Sequence, residues 1–423
     1  MKRFISKAGL LFLPLALFAQ SEKLSLNDSI RLALQNNPDI LRAQKEIDAA
    51  DGRILQAGKI PNPELGISWN ETPQNFNVNG ADERDIGIVQ QIEFPTKRSN
   101  RIEVATYDRG ITQLNLERIK FVVTARVKKS YYNLLFSLEI LNSLEEQLKL
   151  LKDFQQLVTA RYQAGQSNYL DVVRAKVEIT RLGNDIAEAR RESQLRKNQL
   201  KVTIGRNADD LFEVSDSLSY VPVMFQKDSL LASLAEKSSA LRIVQQTLKR
   251  QQQLLSLAKS SYFPDFSVGL FHQRRSEEPP FNANQFTGTT TSAIGIQLDI
   301  SVPLWFWQEP KGQVQEASAL IDIVVVNQRA IERRIRASIL NAFDFVTVSE
   351  TQLKAFDETL LKDSQDILAT AIAQYQNNQI DVLNLVDVYR TYRATKVEYA
   401  RSLFNYAVAL AELEAAAELP LED

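Results

Sequence analysis

The chain has no cysteine, one histidine (His272) and, beyond Met1, one methionine (Met224). The missing thiol excludes disulfides, thiolate catalysis, thiolate zinc sites and an acylated N-terminal cysteine. One imidazole and almost no thioether leave too few ligands for a protein-built metal centre, so no metal and no cofactor are expected. The G-x-S-x-G, P-loop and H-E-x-x-H motifs are absent too, and one histidine cannot furnish a convincing triad, so an enzyme is not expected. A net charge of −2, with Lys and Arg spread along the chain, gives no basic surface for nucleic acid.

Long apolar runs are scarce as well. The N-terminus reads MKRFISKAGLLFLPLALFAQ, with Lys2, Arg3 and Lys7 ahead of an apolar run from Ala8 to Phe18. This predicts a secretory signal peptide over 1–19, cleaved after Ala19. No later stretch approaches the 18 or more apolar residues of a membrane-spanning helix.

Proline is absent between Pro95 and Pro222 and again between Pro310 and Pro420. These tracts are rich in Leu, Ala, Gln, Glu, Lys and Arg and read as long helices. In the first, Leu141, Leu144, Leu148, Leu151, Gln155, Val158 and Tyr162 follow a coiled-coil spacing; in the second, Ile321, Val324, Gln328, Ile331, Ile335, Ser338, Ala342 and Phe345 do. Each tract is broken once, at "RYQAGQSNYLDVV" from Arg161 and "QYQNNQIDVLNLV" from Gln374. Gly165 or the Asn377-Asn378 pair can end a helix, and Asn168 or Asp381 can cap the next. Two antiparallel helical hairpins are thus expected, over 97–205 and 311–418.

The turns match at one constant offset: Tyr162 with Tyr375, Gln163 with Gln376, Leu170 with Leu383, Val173 with Val386. Upstream, "AGKIPNPELGISW" parallels "AKSSYFPDFSVGL" and "DIGIVQQIEFP" parallels "AIGIQLDISVP". The expected organisation is two copies of one unit, 20–221 and 222–423. In the first copy a helix precedes strands 63–72 and 84–94; in the second, a helix over 228–262 precedes strands 264–273 and 292–302.

The strands alternate with period two. Leu65, Ile67 and Trp69, then Ile86 and Ile88, Phe266 and Val268, and Ile294, Ile296, Leu298 and Ile300 each place apolar side chains on one face. About ten residues suffice for a tilted strand to cross an outer membrane, which makes these the expected lipid-facing positions. Gln91, Glu93, Gln297 and Asp299 would face the other, wet side. His272 is expected at the rim by the loops. Trp69, Trp305 and Trp307 fit either an aromatic girdle or, for the last two, packing where strands give way to helices.

Four strands cannot close a barrel, and an open edge in lipid is prohibitively unsatisfied. Two chains would make eight strands with a filled interior; three would make twelve and leave a lumen. A homotrimer is therefore the smallest conduit. The limb from about 98 to 162 would be a rod of roughly 95 Å at 1.5 Å per residue, continuing the pore as a helical tube.

Here the chain resembles the TolC family of outer-membrane efflux ducts over nearly the whole mature sequence. The resemblance is carried by "LSLNDSIRLALQNNPDI", by the strand-end prolines of "IEFP" and "SVPLW", and by the turns "RYQAGQSNYLDVVRAK" and "QYQNNQIDVLNLVDVY". It implies a mainly α fold with a transmembrane β portion: a trimeric twelve-strand barrel on a twelve-helix coiled-coil periplasmic tunnel. It also implies an adaptor of the membrane-fusion type and an inner-membrane pump as partners, with outer membrane lipid around the barrel. "IEFPTKRSNRIEVA" is similar to the branch serving cobalt-zinc-cadmium or copper-silver pumps of the resistance-nodulation-division (RND) type. Drug efflux and type I protein secretion use the same architecture, and a secreted soluble coiled-coil scaffold is the alternative of another class.

By the same resemblance, the tips Tyr162, Gly165, Gln166, Leu170, Tyr375, Asn378, Gln379 and Leu383 would meet the adaptor. The family's aperture positions fall on Asn384 and Asp387. In a trimer Asp387 and Asp171 become carboxylate rings, which attract cations. Asp171 equally suits a solvated helix start. Arg174, one turn on, is a candidate to pair with a neighbouring carboxylate and hold the periplasmic gate shut.

Overall fold

The computed structural model describes residues 22–70, 83–223, 226–232, 238–277, 289–356, 358–377 and 379–419. The expected leader over 1–19 and most of both strand-connecting loops lie outside them. The elements, in order, are β1 (Glu22–Leu24), α1 (Leu26–Asn36), α2 (Pro38–Ala57), β2 (Glu64–Asn70), β3 (Glu83–Ile92), α3 (Pro95–Gln163), α4 (Tyr169–Thr203) and β4 (Phe212–Val214). There follow α5 (Lys227–Ala232), α6 (Ser239–Ser260), β5 (Asp265–Glu277), β6 (Thr289–Ser301), α7 (Glu309–Ala355), α8 (Glu358–Gln376) and α9 (Val382–Ala417). They divide into two compact units.

The first unit takes the chain up to Asn36, Arg126–Tyr220 and Gln352–Val408. Its core joins Leu144, Leu151, Phe154 and Val158 of α3 to Ala175, Leu182 and Ile186 of α4, Ala371 and Tyr375 of α8, and Val382 and Leu385 of α9. Each fully buried Leu or Phe contributes about 1.5–3 kcal/mol over its exposed state. The buried stripe on α3 runs Leu144, Gln147, Leu151, Phe154, Val158, Arg161. Gln155 and Tyr162, taken as seam positions in the sequence, flank it instead. The coiled-coil period permits either register, and only the facing helices choose between them. On α7 the sequence register holds through Ile335, then the buried stripe moves one position on, to Ile339 and Val346 in place of Ser338 and Phe345.

Two short strands were not legible in the sequence. β1 pairs in parallel with β4, Leu24 opposite Val214. The buried Tyr131 hydroxyl lies 2.9 Å from both the Leu24 carbonyl and Asp216 Oδ2, and Leu26 N–H donates to the same Asp216 oxygen at 2.8 Å. After α4 the chain reverses at Gly205, whose φ of +75° suits glycine. There Arg206 N–H bonds Lys201 O at 2.8 Å and Gly205 N–H bonds Val202 O at 3.2 Å, the bond pair of a Schellman turn.

The second unit takes Asn37–Ala125, Val221–Thr351 and the chain from Ala409. Pro38 opens α2, and the Asn37 side chain caps it by accepting from Asp39 N–H at 2.9 Å. Where one helix is expected over 228–262, the described residues carry α5 and a separate α6, whose start Ser238 caps by accepting from Leu241 N–H. The second long tract likewise carries separate helices α7 and α8, whereas α3 runs unbroken for 69 residues. Arg109 with Asp51 (2.5 Å) and Arg250 with Asp108 (2.6 Å) tie the helices of this unit.

Candidate functional site

The four longer strands of the second unit form one antiparallel sheet in the order β2-β3-β5-β6. Hairpins make the outer pairs, and β3 with β5 joins residues far apart in sequence. Directly paired residues share a face. One row runs Ile67, Ile86, His272, Ile294 and the next Leu65, Ile88, Leu270, Ile296. Trp69, Phe266, Val268, Leu298 and Ile300 lie on that same face. It is open: Ile294 is 75 % and Ile296 79 % exposed. His272 sits within this apolar face, not at the rim, because β5 runs on to Glu277.

The opposite face is mostly polar, with Val89 and Phe271 among its residues. Asp299 accepts from Ser267 Oγ and Gln297 Nε2, both at 3.0 Å, and Asp85 accepts from Ser68 Oγ at 3.2 Å. Gln91 reaches Glu64 at 3.4 Å. Glu93 is not a strand residue: it lies past the end of β3 and binds Arg101 through two bonds of 2.8 and 3.0 Å.

In the first unit the two helix turns share one construction. Gln166 N–H bonds Arg161 O and Gln379 N–H bonds Gln374 O, both at 2.8 Å. Gly165, at φ +72°, supplies the left-handed residue of the first turn; Asn378 lies outside the described residues. Asp381 caps α9 by accepting from Asn384 N–H at 2.8 Å, whereas Asn168 precedes α4 without a side-chain cap bond. Tyr162, Gly165, Gln166, Leu170, Gln379 and Leu383 are exposed. Tyr375 is not: at 3 % exposure it packs edge-on to Phe154, 5.2 Å between centroids. Arg161 donates to the Tyr375 carbonyl, and its guanidinium lies 4.7 Å from the ring centroid. Burial raises the Tyr375 phenol, with Arg161 opposing.

Asn384 and Asp387 are exposed on the first turns of α9. Asp171 is half-buried, and the carboxylate nearest Arg174 is Asp171 on the same helix at 3.8 Å, so this pair does not reach across to another element. Sequence reasoning missed the pairs that do. Glu178 of α4 holds Arg390 of α9 at 2.8 Å, Asp185 holds Arg393 at 3.1 Å, and Glu146 of α3 holds Lys396 at 2.8 Å. The α9 spacing of these cations was the only available signal. Hydrogen bonding to Arg390 holds the Glu178 carboxyl below its ordinary 4.5. A lowered folded-state value means this contact stabilises at neutral pH and is lost as pH falls below 4.5.

Residues 29–206 match the family described as Outer membrane efflux protein. Over 376 residues the chain is 24 % identical to the cobalt-zinc-cadmium resistance protein CzcC of Cupriavidus metallidurans, covering 89 % of this chain and 85 % of that one. Residues 29–206 are an outer membrane efflux protein region, and the likeness to CzcC extends over most of the chain. Outer membrane protein TolC of Escherichia coli is 21 % identical over 392 residues, 88 % of this chain and 78 % of TolC. A crystal structure of CusC shares the fold with a TM-score of 0.73 at 18 % identity, over 93 % of this chain and 91 % of CusC.

The chain is an efflux duct of the outer membrane with a helical portion on the periplasmic side, and not an enzyme. The reading as a secreted soluble scaffold falls with that. Among the described residues no helix is long and apolar enough to cross a membrane, and no group of three metal-ligating side chains is gathered.

Proposed function

We propose that three copies of this efflux protein close a twelve-strand barrel and that the duct exports metal cations for an inner-membrane pump of the RND type, through a periplasmic adaptor. The observation that carries the reading is the four-stranded sheet, with an apolar face open on one side and a mostly polar face on the other. Its edges, β2 and β6, each leave a row of backbone donors and acceptors that in lipid must be paired by another chain. The CzcC likeness supports a metal cargo. Deleting the protein should sensitise the cell to zinc, cobalt, cadmium or copper while leaving tolerance of common drugs unchanged. The opposite pattern would make it a drug duct.

Two internal repeats, 20–221 and 222–423, are part of the proposal. The identical turn bonds, Arg161 to Gln166 and Gln374 to Gln379, support it. So do the paired hairpins β2-β3 and β5-β6. The exposed tips Tyr162, Gly165, Gln166, Leu170, Gln379 and Leu383 are the adaptor surface, to which Asn378 belongs by its position in the chain. Tyr375 holds the turn from within.

Asp387 and Asn384 form the constriction, with Asp171 and Arg174 beside them. Three copies of Asp387 make a ring that favours cations over anions. Asp387→Ala should therefore weaken cation preference in single-channel recordings of the reconstituted trimer. An unchanged reversal potential would remove Asp387 from the gate.

A further inference from the structure

Beyond β6 the chain carries an apolar surface that neither the strands nor the helix cores account for. It turns through Leu304, Trp305, Phe306 and Trp307, exposed 61, 61, 52 and 54 %, before α7 begins at Glu309. The turn is built: Gln308 N–H bonds Trp305 O at 3.0 Å, and Lys311 N–H bonds Phe306 O at 3.2 Å. The Phe306 and Trp307 rings meet edge to face at 5.2 Å. These side chains are therefore held outward by ordered backbone.

The surface continues the lipid-facing strand. From Ile294 to Val302 the apolar face of β6 extends roughly 27 Å at about 3.4 Å per residue, comparable with the apolar band of about 25 Å on outer-membrane barrels. The turn thus falls where hydrocarbon gives way to headgroups, at the helix end of the strands. Cations collect at the same junction: Lys59 after α2, Arg98 in the first turn of α3, Lys259 in the last turn of α6 and Lys311 in the first turn of α7. All four are exposed, and none has a carboxylate partner among the described residues. Glu309, which accepts from Gln313 at 3.1 Å, is the acidic residue of the turn. Tryptophan and phenylalanine flanked by Lys and Arg match the chemistry of a lipid headgroup layer.

We propose that this turn and its cations are an interfacial anchor on the periplasmic leaflet. Trp305 and Trp307 lie at the headgroup–acyl boundary, and the four cations engage the phosphates of anionic phospholipid. The inference rests on the barrel reading above and assigns one leaflet to one turn.

The chain has three tryptophans, which makes the test direct. Trp69→Phe leaves only the junction pair as fluorophores, and Trp305→Phe/Trp307→Phe leaves only Trp69 on the strand face. Each full-length variant is reconstituted in phosphatidylethanolamine–phosphatidylglycerol vesicles brominated either near the glycerol or near the chain end. The junction pair should lose about half its emission to the shallow bromines and several-fold less to the deep ones. Brominated phosphatidylglycerol should quench more than brominated phosphatidylethanolamine, and Lys59→Gln, Lys259→Gln and Lys311→Gln together should remove that excess. Quenching of Trp69 without the junction pair would overturn the anchor and leave the barrel standing. Quenching of neither would overturn both. Equal quenching by the two lipids would strike out the cations.

Discussion

Gly205→Ala is expected to lower the stability of the protein by roughly 2–5 kcal/mol, the sum of a left-handed backbone cost and a steric one. A Cβ at this position would stand 2.4 Å from the Asn36 carbonyl oxygen, 2.7 Å from its carbon and 3.0 Å from the Asn36 Cβ. Two of these are backbone atoms at the end of α1, so no side-chain rotation relieves the clash. Gly165 is the internal control, with nearly the same φ of +72° but no atom within 4 Å of its would-be Cβ. Gly165→Ala should therefore cost only the conformational part, about 1 kcal/mol. Thermal unfolding of the detergent-solubilised variants measures both. Equal losses would mean that the contact with Asn36 does not constrain the turn.

The second large effect separates the two faces of β6. Ile296, 79 % exposed, and Gln297 are adjacent, so the strand pleat sends them to opposite sides. Ile296→Lys places a charge on the lipid side near mid-strand, where it costs about 2–4 kcal/mol per chain and is repeated in every copy. The variant should be lost from the outer-membrane fraction. Gln297→Lys sits beside Asp299 in a wet environment and should assemble at wild-type levels, with weakened cation preference. Assembly of Ile296→Lys together with loss of Gln297→Lys would show that the apolar face does not meet lipid.

Much of this architecture was legible in the residues. Period-two alternation placed the four long strands close to where they lie and placed Ile294, Ile296, Leu298 and Ile300 on a common face. The proline-free tracts marked the long helices, and Gly165 marked a turn. Legibility failed where a feature had no period. β1 and β4 are three residues each, too short to show alternation, and their pairing joins Glu22 to Phe212. It failed also where the period was ambiguous: 3-4 spacing on α3 fits both Gln155 and Phe154, and only the facing α8 and α9 make Phe154 the core residue.

The candidate site divides the same way. Tyr162 and Tyr375 occupy matching positions in the two turns, and by sequence both are tip residues. In the fold Tyr162 is exposed and stands 5.6 Å from Tyr169, while Tyr375 is covered by Phe154 and Arg161. Arg161 comes from a helix 214 positions away, and local sequence carries no trace of that meeting.

The sequence by itself determined the class of molecule: a chain without thiols or a metal-binding set, with amphipathic strands, apolar on one face, between long helices. Side-chain period is local, so it specifies which face each residue joins. Tertiary structure decided the partners: β3 against β5, Asn36 against Gly205, Glu178 with Arg390, and which of two equivalent tyrosines is buried. Those contacts depend on loop closure across hundreds of residues, and their free energy exists only once distant segments have met.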